Sequence, residues 1–173
     1  MPDPERPLPR SLRWTGFDYA SPRCYFVTIC TARRQPVLSR IDDRCRVRLM
    51  PAGLDVITAW EGLPERFGDL ALLEFVAMPD HVHGLIQLGS SDIEDDADAT
   101  GETNLGTVVG AFKSLSARAA NQTLGRRNVS FWQRGYYDRV VPSDDELERL
   151  RWYIVENPAR WAAARYSQLN ERT

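Results

Sequence analysis

The sequence predicts an α+β fold of the ferredoxin-like, split βαβ kind: an antiparallel sheet with helices on one face, followed by a C-terminal tyrosine-bearing helix. Three observations carry this. The elements read in the order β-α-β-β-α-β before a last helix, which is the order of that fold. Two apolar runs, "LALLEFVAM" and "HVHGLIQLG", are separated only by Pro79 and Asp80, so they form a hairpin with a tight turn. Two segments of helical spacing stand where the crossovers must be. The order puts the second strand of the hairpin in the sheet interior.

The first 22 residues, rich in Pro and Arg, read as an extended basic arm. "CYFVTICTA" (24–32) is β-branched and aromatic, the mark of a buried strand. A helix is expected over 51–61, with Leu54, Ile57, Thr58 and Glu61 at helical spacing and Pro51 in its first turn. The hairpin strands follow at 70–78 and 81–89. The acidic stretch 90–103 reads as a long mobile loop. A second helix is expected over 105–125, with Val108, Phe112, Leu115 and Ala119 as its apolar stripe and Gly125 as its stop. "FWQRGYYDRVV" (131–141) reads as the fourth strand. "SDDELERLRWYIVEN" (143–157) reads as the last helix, opened by a capping box of Ser143 and Glu146 and limited by Pro158. One domain over 23–165 and a tail at 166–173 complete the division.

The formal net charge is −2, but its distribution is uneven. Residues 91–102 hold six acids and no base, so the rest of the chain is at +4. Residues 1–40 carry seven arginines against three acids. Residues 113–140 carry Lys113, Arg118, Arg126, Arg127, Arg134 and Arg139 against Asp138. A basic face with one acidic loop fits these counts, and so does scattered solvated charge. No apolar run approaches the length of a membrane span, and the N-terminal stretch has no apolar signal core, so a cytoplasmic protein is expected. Cys24, Cys30 and Cys45 match neither a CxxC pair nor a disulfide framework and are expected as reduced thiols.

Both histidines of the chain, His81 and His83, stand two residues apart. On a strand, positions i and i+2 share a face, so the two imidazoles project together. Such a pair can bind one divalent ion through neutral ring nitrogens, and a third ligand is then required. On its own the spacing also fits two sheet histidines with no ion. The last helix offers partners: Tyr153 and Asn157 are four apart and share a helical edge, next to an apolar stripe of Leu147, Leu150 and Ile154. A tyrosine hydroxyl is a poor nucleophile near its ordinary pKa of about 10. An ion that binds and polarises a phosphate makes attack by such a group feasible, with the phosphodiester energy kept in a phosphotyrosine.

Taken together, these residues resemble a known family. "MPDHVHGLI" resembles the HUH motif, two histidines around one bulky hydrophobic residue, here Val82. "FWQRGYYDRVV" followed by "DDELERLRWYIVENPARW" is similar to the C-terminal half of the REP-associated tyrosine transposases, within the insertion-sequence-200-like single-tyrosine superfamily. "CYFVTICTARRQPVL" is similar to that family's first strand. The resemblance covers about residues 10–165.

The resemblance implies a ferredoxin-like palm and Mg²⁺ or Mn²⁺ held by His81 and His83. It places the nucleophile at Tyr153 and the third metal ligand at Asn157. It implies transesterification on single-stranded DNA with hairpin structure, leaving a 5′-phosphotyrosine and a free 3′-OH, and a monomer or homodimer. Tyr136 and Tyr137 are then structural or DNA-contacting. Arg6, Arg10, Arg13, Arg33, Arg34 and Arg134 are candidates for phosphate contacts, with Trp14 for stacking and Lys113 and Arg118 as further basic contacts. A nucleic-acid-binding module without catalysis, a phosphodiesterase using water, and a domesticated host protein that keeps the site remain as other readings.

Overall fold

The computed structural model describes residues 23–89 and 103–170. The basic arm with Arg6, Arg10, Arg13 and Trp14, nearly all of the acidic stretch, and the last three residues lie outside the described residues. In chain order the elements are β1 (Arg23–Cys30), β2 (Ser39–Ile41), β3 (Val47–Leu49), α1 (Pro51–Glu61), β4 (Leu70–Ala77), β5 (His81–Leu88), α2 (Leu105–Thr123), β6 (Tyr137–Val141) and α3 (Asp144–Asn170). One sheet of four strands runs β4-β5-β1-β6, with every neighbouring pair antiparallel. This is the expected split βαβ arrangement, with β5 in the interior.

Strand alternation divides the sheet into two faces. Val27, Ile29, Val82, Ile86 and Leu88 pack against α1 and α2, with Val56, Trp60, Val108 and Phe112 among the buried side chains. Phe26, Val76 and Leu85 pack on the opposite face against Leu150 and Ile154 of α3. The crossover helices therefore share one face, and the tyrosine-bearing helix covers the other. Among the described residues no helix is long and apolar enough to cross a membrane.

Several expectations are corrected in detail. α1 has the expected bounds, but its buried side is Ala52, Gly53, Val56 and Trp60, and Leu54 is exposed. Close approach sets this rotation: a Cβ on Gly53 would lie 2.0 Å from the Leu38 carbonyl oxygen. In α2 the buried stripe passes through Ser116 and Ala120 in place of Leu115 and Ala119. Ser116 tolerates burial because its Oγ donates to the Phe112 carbonyl at 2.5 Å and accepts from the Trp132 indole at 3.0 Å.

The fourth strand begins at Tyr137, six residues later than expected. Phe131 and Trp132 are both buried, against strand alternation, and Trp132 makes only an isolated bridge to Thr31. The next three carbonyls, of Gln133, Arg134 and Gly135, accept from the Lys113 ammonium at 2.8, 3.1 and 3.2 Å. The hairpin of β2 and β3 was not anticipated, because strands of three residues are too short to show alternation.

α3 runs through Pro158 to Asn170. The proline removes one donor from the ladder, the N–H that would reach the Ile154 carbonyl. Tertiary contact outweighs that loss, since Ile154, Asn157 and Pro158 are all buried. At its start the Glu146 N–H donates to Ser143 Oγ at 3.3 Å, the forward half of the capping box. The Glu146 carboxylate pairs instead with Arg139 of β6, at 2.5 Å, and with Arg149.

Candidate active site

His81 and His83 open β5, and both point to the α3 face, as their spacing requires. Burial leaves them 7% and 5% exposed. Each ring is oriented from behind through Nδ1. His81 Nδ1 lies 2.5 Å from the Asp80 carboxylate, and His83 Nδ1 lies 2.8 Å from Thr28 Oγ1. Thr28 is the register partner of His83 on β1, so the sheet itself delivers this contact. The two Nε2 atoms then face each other at 3.1 Å.

The proton positions follow from the partners. A carboxylate only accepts, so His81 donates Nδ1–H to Asp80, which in a neutral ring leaves Nε2 as the acceptor. His83 either donates Nε2–H to that nitrogen or, with its proton given to Thr28, presents a second bare nitrogen. The second arrangement is the one a divalent cation needs, with each imidazole fixed by an outer partner. A spacing of 3.1 Å suits adjacent ligands: bonds of about 2.1 Å at right angles separate the donors by about 3.0 Å. The His83 imidazole is pushed down to about 3, first by burial and then by the neighbouring His81 and Arg34, so the ring is neutral near pH 7. Neutral imidazole is the ligating form.

α3 lies across the pair. The Tyr153 ring sits 5.3 Å from the His83 ring, edge to face, and 5.9 Å from Phe26, which stacks on His83. The Trp161 ring sits 5.7 Å from the His81 ring. Residues four apart follow one edge of a helix. Asn157 falls midway between Tyr153 and Trp161 along that edge and is buried, 7% exposed. Among the described residues no group of three His, Cys, Asp or Glu could together hold a metal ion. The guanidinium of Arg160 stacks over the Tyr153 ring, 5.6 Å from its centroid.

The basic candidates separate. Arg33 and Arg34 follow β1 at the histidine end of the sheet, both exposed, and Arg34 lies 3.7 Å from Asp80. Arg134 is exposed just before β6. Lys113 is committed to its three carbonyls, and burial lowers its pKa. Arg118 stands apart, lining with Arg126 and Arg127 a cavity of about 550 Å³ at the end of α2. The three cysteines are free thiols. Burial raises Cys30 and pushes Cys24 up to about 11, which keeps both thiols protonated and unreactive.

Four contributors are absent from the sequence reading. Asp80 reads from the sequence as a turn residue, although it stands directly before His81. Thr28 and Phe26 needed the register of β1 on β5. Trp161 was legible as one more step along the Tyr153 edge, once the helix is carried through Pro158.

Comparison with known proteins adds the family context. The model of a family described as "Transposase IS200 like" matches residues 23–157. An uncharacterized protein of Haemophilus influenzae (strain Rd) is 29% identical over 169 residues, which span 88% of this chain and 89% of that one. A REP-associated tyrosine transposase solved bound to a REP hairpin superposes with a TM-score of 0.54 at 14% identity, over 87% of this chain and 74% of that one. At that identity the likeness speaks to the fold.

Proposed function

This chain belongs to the IS200-like transposase family, and from that premise we propose that it is a metal-dependent single-stranded DNA transesterase. On this reading it cleaves and rejoins DNA beside hairpin elements through Tyr153. One observation carries the reading: a single edge of α3 sets Tyr153 against His83 and Trp161 against His81, and buried Asn157 belongs to that same edge of the helix. The solved transposase with a hairpin bound has the same fold, which supports hairpin DNA as the substrate class.

His81 and His83 would hold Mg²⁺ or Mn²⁺ through Nε2, with the Asn157 amide oxygen as the third protein ligand. Two nitrogen donors favour Mn²⁺ over Mg²⁺, which prefers oxygen. When bound, the ion polarises the scissile phosphate and neutralises charge developing on it. Asp80 and Thr28 keep the imidazoles in the ligating orientation, and Phe26 fixes His83 from its flank. The Tyr153 oxygen attacks phosphorus, the bond to the 3′-oxygen breaks, and the strand is left with a 5′-phosphotyrosine and a 3′-OH. An incoming 3′-OH reverses the step and frees Tyr153, with no nucleotide cofactor consumed. On this reading the exposed Arg33, Arg34 and Arg134 would contact phosphates near the histidines and Arg118 would contact them farther out.

The test is a denaturing gel of the full chain with a labelled hairpin oligonucleotide and Mn²⁺. The expected result is a covalent protein–DNA adduct that disappears in Tyr153→Phe. Strand cleavage without an adduct would assign the attack to water, and cleavage retained in the Phe variant would remove Tyr153 from the mechanism.

A further inference from the structure

Tyr136 and Tyr137 are adjacent in sequence, but the sheet separates them. Tyr136 is half-buried against the α1 and α2 core. Tyr137, the first residue of β6, is the register partner of Thr28, and Thr28 is the register partner of His83. Directly opposed residues of an antiparallel sheet share a face. Tyr137, Thr28 and His83 therefore form one row across the sheet, on the α3 face. Two strand spacings of about 4.8 Å put the Tyr137 backbone about 10 Å from that of His83.

α3 does not cover the whole face. Its apolar side meets Phe26, Val76 and Leu85, and Arg151 reaches Glu74 of β4 at 3.1 Å. The corner at the start of β6 is left open: Tyr137 is 47% exposed, and its ring has no ring partner among the described residues. The Gln133 N–H donates to the Cys30 carbonyl at 2.8 Å and holds the segment before β6 beside the end of β1. Exposed Arg134 lies on that segment, and exposed Arg33 and Arg34 follow β1. An open aromatic beside the histidine row, with arginines at its edge, is the composition by which single strands are held: bases stack on rings and phosphates meet guanidinium groups.

We propose that Tyr137 is a base-stacking platform for the single strand, seating a nucleotide next to the phosphate presented to His81, His83 and Tyr153. This rests on the reading of the chain as a single-stranded DNA transesterase, and it adds a substrate-binding residue to that site. Stacking needs the ring and not the hydroxyl, so Phe should replace Tyr137 and Ala should not.

The experiment measures binding of a hairpin oligonucleotide with a single-stranded flank, carrying 2-aminopurine at successive flank positions. It uses the full chain with Mn²⁺ in a Tyr153→Phe background, so that no strand is cut. Tyr137→Ala is expected to raise Kd by about 5- to 150-fold, the range for loss of one base–aromatic stack. Quenching of 2-aminopurine at one flank position should vanish in Tyr137→Ala and persist in Tyr137→Phe, with the melting temperature of both unchanged. Parental affinity in Tyr137→Ala, or a loss of affinity that follows a fall in melting temperature, overturns the platform alone. Failure of the Tyr137-intact chain to bind the strand overturns the platform and the transesterase reading together.

Discussion

The two imidazoles differ in what holds them. His81 leans on a carboxylate and His83 on a hydroxyl, and charging His83 carries an electrostatic cost because it is buried beside His81 and near Arg34. That cost has a pH signature. The unfolded chain takes up a proton on this ring near pH 6.5, whereas the folded chain resists it down to about 3. The unfolded state therefore binds more protons across that window, and stability falls as pH drops from 6.5 toward 3. Above pH 6.5 both states are neutral at this ring and it adds no slope. With chelator present, melting temperature should fall between pH 7 and pH 5, and His83→Gln should show a smaller fall. Equal falls in the two proteins would show that His83 is already charged in the folded state.

At the scale of elements, β5 serves both faces at once. His81, His83 and Leu85 look toward α3, while Val82 and Ile86 enter the other core. Gly84 is set between them because Trp60 lies over it: a Cβ there would come within 2.4 Å of the indole, which itself stacks on Phe75 at 4.5 Å. Gly84→Ala should thus cost about 1–3 kcal/mol by overpacking, read from denaturant midpoints. A neutral result would mean that Trp60 has room to retreat. The hairpin and the histidine face were legible in sequence because period-two alternation and a two-residue turn are strong local signals. The buried sides of α1 and α2 were less so, because Gly53 and Ser116 are buried for reasons of backbone approach and hydrogen bonding that an apolar count passes over. The end of α3 was misread at Pro158 because a local propensity was overruled by packing that only the tertiary structure supplies. Their spacing put Tyr153 and Asn157 on one helical edge, but where that edge meets the sheet depended on which face the helix covers.

For the whole molecule, the Tyr153 ring meets the His83 ring of its own chain, so the candidate site is assembled within one chain. If that is how it works, a mixture of Tyr153→Phe with His83→Ala should form no covalent adduct. Adduct formation in the mixture would show that helices are exchanged between copies. The charge pattern agrees with a site at one end of the sheet. Arg33 and Arg34 follow β1 at the histidine end, and Arg34 lies 3.7 Å from Asp80 there. Cohesion and chemistry also share a single alignment. Sliding β5 by one residue against its neighbours would turn both imidazoles into the α1 and α2 core and push Val82 and Ile86 out of it. A chain that misaligns in this way loses its interior and its histidine pair in the same event, so the error that misfolds this transposase-family chain also dismantles its candidate site.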